Sequence, residues 1–181
     1  ANWPHRVGGL ALLSFTNVAI REFKAATEAV GRGDLLSDPN YVGTFDSFVE
    51  RYILAPFGHL ITGAAKRPRL FPGPRPGDRS NRKLQVWTQG RGGRQIPIPA
   101  WEVIPYPDNN KLRFKTSSSY GSKGLDGNAG ECVRELLSLG FYTHAQRVCW
   151  ACNLLFDRPH IAQVLARRFP EIIVDEAQDC N

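Results

Sequence analysis

The sequence predicts an α/β fold, a parallel sheet flanked by helices and interrupted by a Pro/Gly/Arg-rich, ribbon-like insertion. Three observations carry this prediction. Short apolar runs at Gly9–Phe15, Tyr41–Phe45 and Glu171–Val174 read as strands, the first of them as a parallel strand covered on both faces. Strand and helix patterns alternate near both ends of the chain, as parallel sheets require. Between them, residues 66–125 hold most of the prolines and many of the glycines.

In chain order, residues 1–65 read as strand, helix, strand, helix. After Gly9–Phe15, Asn17 is placed to cap a helix in which Val18, Ala19, Phe23, Ala26 and Val30 recur near helical spacing, and Gly31-Arg32-Gly33 ends it. After Tyr41–Phe45, Asp46 or Ser47 is placed to cap a helix reaching about Leu54. In 66–125, short β-like runs occur at Lys83–Thr88, Gln95–Ile98 and Lys111–Lys115, while Pro97, Pro99, Pro105 and Pro107 confine any strand to edge ribbons. Residues 126–181 return to regular patterns. A helix over Glu131–Leu139 ends at Gly140, Thr143 caps a second through about Phe156, and Pro159 starts a third running to Arg168. Pro170 then precedes the strand Glu171–Val174, which delivers Asp175 and Glu176 to its C-terminal end, where open parallel sheets bind ligands.

The chain of 181 residues is long enough for one domain with a sizeable core, or for a domain carrying an insertion. Its 42% apolar and 22% charged content is that of a soluble globular domain. No apolar run approaches the ~20 residues of a membrane span, and the first residues lack a signal-peptide pattern. The expected location is therefore cytoplasmic, nucleoid-associated if the source is bacterial. A first residue Ala1, the lack of any Met and a last residue Asn181 just after the most distinctive motif suggest a fragment of a larger protein.

Charge is uneven. The net charge is +6, and from Lys66 to Lys123 there are 13 Lys and Arg against 3 Asp and Glu. Such a block suits contact with polyanions, most often nucleic-acid phosphates; a solvated surface loop is the other reading. Of Cys132, Cys149, Cys152 and Cys180, the spacing Cys149-x-x-Cys152 lies within an apolar helical pattern with no second pair at zinc-ribbon spacing. Buried, reduced thiols are expected there, with no metal.

An apolar strand ending on Asp175-Glu176 supplies the acidic half of a nucleotide-hydrolysing site. One carboxylate can hold Mg²⁺ through water, and its neighbour can orient and deprotonate an attacking water. The longer string Asp175-Glu176-Ala177-Gln178-Asp179 resembles motif II, the Walker B box, of the UvrD/Rep-like superfamily 1 helicases. Leu13-Ser14-Phe15-Thr16-Asn17-Val18-Ala19-Ile20-Arg21-Glu22 is similar to the motif Ia of that family, and Val42-Gly43-Thr44-Phe45-Asp46-Ser47-Phe48 to its motif Ib. The order along the chain is also that of the family.

The resemblance implies a partial RecA-like domain, spanning motif Ia to motif II, from an ATP-dependent DNA helicase or translocase. In such a protein Asp175 would hold Mg²⁺ on ATP and Glu176 would activate water. Gln178 and Asp179 would couple the nucleotide to DNA and to a second RecA-like domain of the same polypeptide. Phe15, Thr16, Asn17, Thr44, Phe45 and Ser47 would contact single-stranded DNA. Structural roles compete for the same residues: Phe15 as core, Asn17 and Ser47 as helix caps.

Three departures from the family pattern stand out. No Gly-x-x-x-x-Gly-Lys-Ser/Thr loop is present; the nearest string, Gly58 to Lys66, lacks Lys after its second Gly and follows motif Ib. Asp46 stands where the family often has His, and 66–125 reads as ribbon where the family's insertion is usually helical. The loop's absence implies that this polypeptide alone does not hydrolyse ATP. The alternatives are a non-catalytic DNA- or protein-binding module derived from a helicase, and an unrelated phosphohydrolase.

Overall fold

The computed structural model describes residues 8–63, 67–73, 85–89, 95–108, 111–116, 125 and 129–177, with 85–89, 95–96, 107–108 and 111 described by main chain alone. The fold is mixed α/β, with small parallel sheets flanked by helices. Its first elements are β1 (Leu10–Ser14), α1 (Asn17–Ala29), β2 (Tyr41–Thr44), α2 (Phe45–Val49), α3 (Ala55–Phe57) and α4 (His59–Thr62). The middle of the chain adds β3 (Arg69–Leu70), β4 (Gln85–Gln89), β5 (Gln95–Pro99), β6 (Val103–Asp108) and β7 (Lys111–Thr116). Then come α5 (Ala129–Ser138), β8 (Phe141–Tyr142), α6 (His144–Asp157), α7 (Pro159–Arg168) and β9 (Glu171–Val174). These form two compact units, Ala1–Tyr52 with Leu155–Asn181, and Ile53–Leu154.

The first unit is built on a three-stranded parallel sheet in the order β2-β1-β9. Leu13 sits opposite Gly43 on one side and Val174 on the other. Side-chain alternation sends Ala11 and Leu13 into a buried cluster with Tyr41, Phe48 and Phe169, flanked by Phe45, Tyr52 and Val174. Tyr52 meets Phe169 edge-on at 4.8 Å and Tyr41 at 5.3 Å, a favoured aromatic geometry. The other face is less covered than the sequence predicts. Leu10 and Leu12 are half-buried, and Ile172 and Ile173, on opposite faces of β9, are 48% and 50% exposed. Among the described residues β9 pairs only with β1, so neither of its faces gains the cover of an interior strand.

The helix starts differ from the sequence expectation by one to three residues. Thr16, not Asn17, caps α1: its Oγ1 accepts the Ala19 N–H at 3.2 Å. Thr44, not Asp46 or Ser47, caps α2, accepting the Ser47 N–H at 3.2 Å. Both threonines hold extended backbone, natural for a β-branched residue leaving a strand, with the hydroxyl in reach of the first free amides. Beyond α2 the chain passes through a π-helical stretch, Glu50–Leu54, into α3. Pro56 has no N–H for the Tyr52 carbonyl, and the helix widens directly ahead of it.

The second unit holds two antiparallel two-stranded ribbons, β4–β5 and β6–β7, and a two-residue parallel pairing of β3 with β8. β6 is absent from the sequence-based expectation because it contains Pro105 and Pro107. Their spacing of two explains why the strand survives. Successive N–H groups point to opposite edges, so both missing donors fall on one edge and the other keeps its ladder with β7. Val103 and Pro105 are buried, and Phe114 opposite Pro105 packs near Gly130 of α5, where an added Cβ would lie 3.2 Å from its ring. α5 buries Ala129, Val133, Leu136 and Leu137, and begins two residues earlier than its pattern predicts. It ends at Gly140, whose φ of 81° is the left-handed conformation that closes helices before β8.

One side chain ties these pieces together. Gln146, 1% exposed, donates from Nε2 to the carbonyls of Ala100 at 3.1 Å and Val103 at 2.8 Å. Its Oε1 accepts the Thr143 N–H at 3.1 Å, while Thr143 caps α6 as its sequence predicts. Its two Nε2 donations hold α6 to Ala100 and to the first residue of β6, while its Oε1 closes the start of α6. Gln146→Leu therefore leaves two buried carbonyls and an amide unmatched, and the stability in urea is expected to fall by about 2–4 kcal/mol. A change below ~0.5 kcal/mol would show that the tie is dispensable.

Candidate functional site

Parallel strands deliver their C-terminal ends to one edge. Here that edge carries the segments after β1, β2 and β9. Ser14 lies opposite Thr44 in register, and the Asp175 N–H donates to the Leu13 carbonyl at 2.8 Å. Pairing thus extends one residue past β9 before the chain turns through Glu176. The Ser14 hydroxyl is buried and accepts the Thr16 N–H at 3.3 Å, fixing the turn out of β1.

Phe15 and Phe45 stack across this edge, with centroids 5.6 Å apart and planes inclined by 27°. Phe45 rests on the core, whereas Phe15 is 39% exposed, so Phe15 is not the core residue that its apolar run suggests. Asn17 is also exposed, and capping of α1 falls to Thr16. Thr44 and Ser47 are more engaged. The Thr44 hydroxyl donates to Ser47 Oγ at 2.8 Å while accepting the Ser47 N–H. The Tyr41 phenol has its pKa raised mainly by burial, with Tyr52 adding and Arg51 and Ser47 opposing. The phenol lies over Gly43, where a Cβ would come within 2.5 Å of its oxygen. A glycine at this position leaves room for the Tyr41 ring.

At the end of β9, Asp175 and Glu176 are both exposed. Glu176 has φ of 55°, the left-handed region, which costs a non-glycine residue ~1–2 kcal/mol. Asp46 is exposed in the first turn of α2, where a negative charge suits the helix dipole. Among the described residues no group of three or more His, Cys, Asp or Glu is placed to hold a metal. A single exposed carboxylate such as Asp175 suits Mg²⁺ only where the ion keeps its waters and takes its other ligands from phosphates. Gln178 and Asp179 lie outside the described residues, as does Cys180. The other cysteines are not uniformly buried as expected: Cys132 and Cys149 are half-buried and Cys152 is exposed. Burial, reinforced by Cys152, pushes the Cys149 thiol up to about 11, so it is no nucleophile near neutrality.

The sequence reading missed two members of this edge, Ser14 and Tyr41. Ser14 is the one polar residue of its strand, a signal that was available. The packing of the Tyr41 ring over Gly43 has no local signature. Compared with protein-family models, curated proteins and solved structures, the chain matches none. Among the described residues no helix is long and apolar enough to cross a membrane.

Two outcomes follow from this geometry. Thr16→Ala is expected to cost about 1 kcal/mol in chemical denaturation and Asn17→Ala much less; equal losses would return the cap to Asn17. Glu176→Gly is expected to raise stability by up to ~1 kcal/mol by removing the left-handed penalty, net of the entropy glycine adds to the unfolded chain. A clear loss in the same measurement would mean that the Glu176 side chain holds the turn.

Proposed function

We propose that this chain is part of a RecA-like ATPase domain of an ATP-dependent DNA helicase or translocase of the UvrD/Rep type. The observation that carries the reading is the shared edge, where an acidic turn after β9 emerges beside the Phe15–Asn17 turn after β1 and the Thr44–Ser47 turn after β2. Exposure of Phe15 and Asn17, neither needed for core or cap, supports a role in meeting a ligand. Phe15 offers a face for base stacking, and Asn17 and the hydroxyls offer donors for phosphate. Thr44 and Ser47 are partly committed to each other, so their contribution is to position the turn as much as to bind.

In this reading Asp175 holds Mg²⁺, which bound to ATP would neutralise charge on its phosphates. Glu176, next along the turn, orients the hydrolytic water and takes its proton. Gln178 and Asp179 relay the state of the nucleotide toward DNA and a second RecA-like domain. The strain at Glu176 fits a residue whose position is set by function. A non-catalytic module of the same ancestry is the second reading, favoured by the lack of a Gly-Lys-Ser/Thr loop in the 181 residues and by Asp46, which repels phosphate.

The purified chain is expected to show no DNA-stimulated ATP hydrolysis, for want of the amides and lysine that cradle the β- and γ-phosphates. In a polypeptide that also supplies such a loop, Glu176→Gln is expected to lower kcat about 10²–10⁴-fold with little change in KM for ATP. Turnover by the purified chain that disappears on Glu176→Gln would overturn the first expectation. An unchanged kcat in the longer polypeptide would remove Glu176 from the chemistry.

A further inference from the structure

The ribbon β6–β7 has two unlike faces. Register pairs Ile104 with Lys115, Pro105 with Phe114 and Tyr106 with Arg113. Alternation then puts Val103, Pro105 and Phe114 on one face, and Ile104, Tyr106, Arg113 and Lys115 on the other. The first face is inward: Val103 is fully buried and Pro105 is buried. The second is outward, with Tyr106 37% exposed and Arg113 and Lys115 exposed. Lys115 Nζ lies 5.5 Å from the Tyr106 ring centroid, and Arg113 is directly across the ribbon from the ring.

We propose that this outward face binds single-stranded nucleic acid, with Tyr106 stacking on a base and Arg113 and Lys115 meeting phosphates. The site lies in the unit Ile53–Leu154 and stands independently of the motor reading. Three features select this ligand. Arg113 and Lys115, two residues apart on one strand face, are spaced ~6.8 Å along it, a pitch comparable to that of successive phosphates on an extended strand. The surrounding stretch from Lys66 to Lys123 has 13 basic residues against 3 acidic ones, a field that attracts polyanions. The exposed aromatic ring separates the candidates that remain. An acidic peptide would satisfy the cations but make no use of a π-face, and bases in a duplex are already stacked on each other. The cation beside the ring also orders it, lowering the entropy lost on stacking.

The test is fluorescence anisotropy of the full chain with labelled oligo(dT), repeated at several salt concentrations. Tyr106→Ala is expected to weaken binding about 5- to 100-fold, while Tyr106→Phe, which keeps the ring, binds nearly as wild type. The double variant Arg113→Ser with Lys115→Ser is expected to lower the slope of log K against log salt by about 1.4. Circular dichroism of each variant confirms the fold, and the Tyr106→Phe result stands even where Tyr106→Ala is unstable. The proposal fails if the ring and charge variants bind as wild type, or if a duplex or polyglutamate competes as well as oligo(dT). Phe15→Ala separates it from the motor reading: loss of binding in that variant alone sinks the ribbon site and leaves the sheet edge standing, and loss confined to the ribbon variants does the reverse.

Discussion

A parallel strand pairing between residues far apart in sequence is the constraint on which the candidate site depends. β1 and β9 are separated by most of the chain, yet Leu10 to Leu13 run in register with Glu171 to Val174. The Asp175 N–H bonded to the Leu13 carbonyl extends that ladder to the first acidic residue. Because side-chain period along a strand is two, a slip of one residue would move Val174 off the core cluster and turn Ile173 into it. Burial of Val174 beside Leu13 and Phe169 therefore fixes where Asp175 emerges. Packing against the aromatic cluster favours this register, and the register sets which residues emerge at the edge.

Residues at this edge divide by whether the fold needs them. Thr16, Ser14 and the Thr44–Ser47 pair are engaged in turns and caps, each with an identified hydrogen bond. Phe15 and Asn17 are exposed, and the cap they neighbour is supplied by Thr16. Glu176 occupies left-handed backbone, which stability alone would assign to glycine. A fold selected only for stability would bury the phenylalanine and relax the turn. A partly exposed aromatic and a strained acidic residue at one strand edge are the features on which the proposed function draws.

Much of the regular structure was legible because it rests on local patterns. α7 and β9 fall on their predicted bounds, since Pro159 and Pro170 punctuate them. The caps were misread by small offsets: Asn17 looks like the stronger cap, but the chain is already helical there, and the extended residue before it is Thr16. β6 was hidden by Pro105 and Pro107, because a count of prolines ignores that alternate prolines share one edge. The β3–β8 pairing involves two residues from each strand and the Gln146 tie reaches 46 and 43 residues back, neither of which leaves a periodic trace. At the site the three turns were found from their motif strings, but the exposure of Phe15, the Phe15–Phe45 stack and the backbone of Glu176 are products of packing.

The two candidate surfaces differ in physical character, and that difference limits what each can do. The sheet edge offers an aromatic face, hydroxyls and an amide beside the carboxylates of Asp46, Asp175 and Glu176. Its direct attraction for a polyanion is weak, so the binding proposed there would draw on geometry, stacking and neutral hydrogen bonds. The outward face of β6–β7 offers cations around a ring, and the binding proposed there would release counterions and weaken as salt rises. The two proposed sites therefore differ in the salt dependence that each would show.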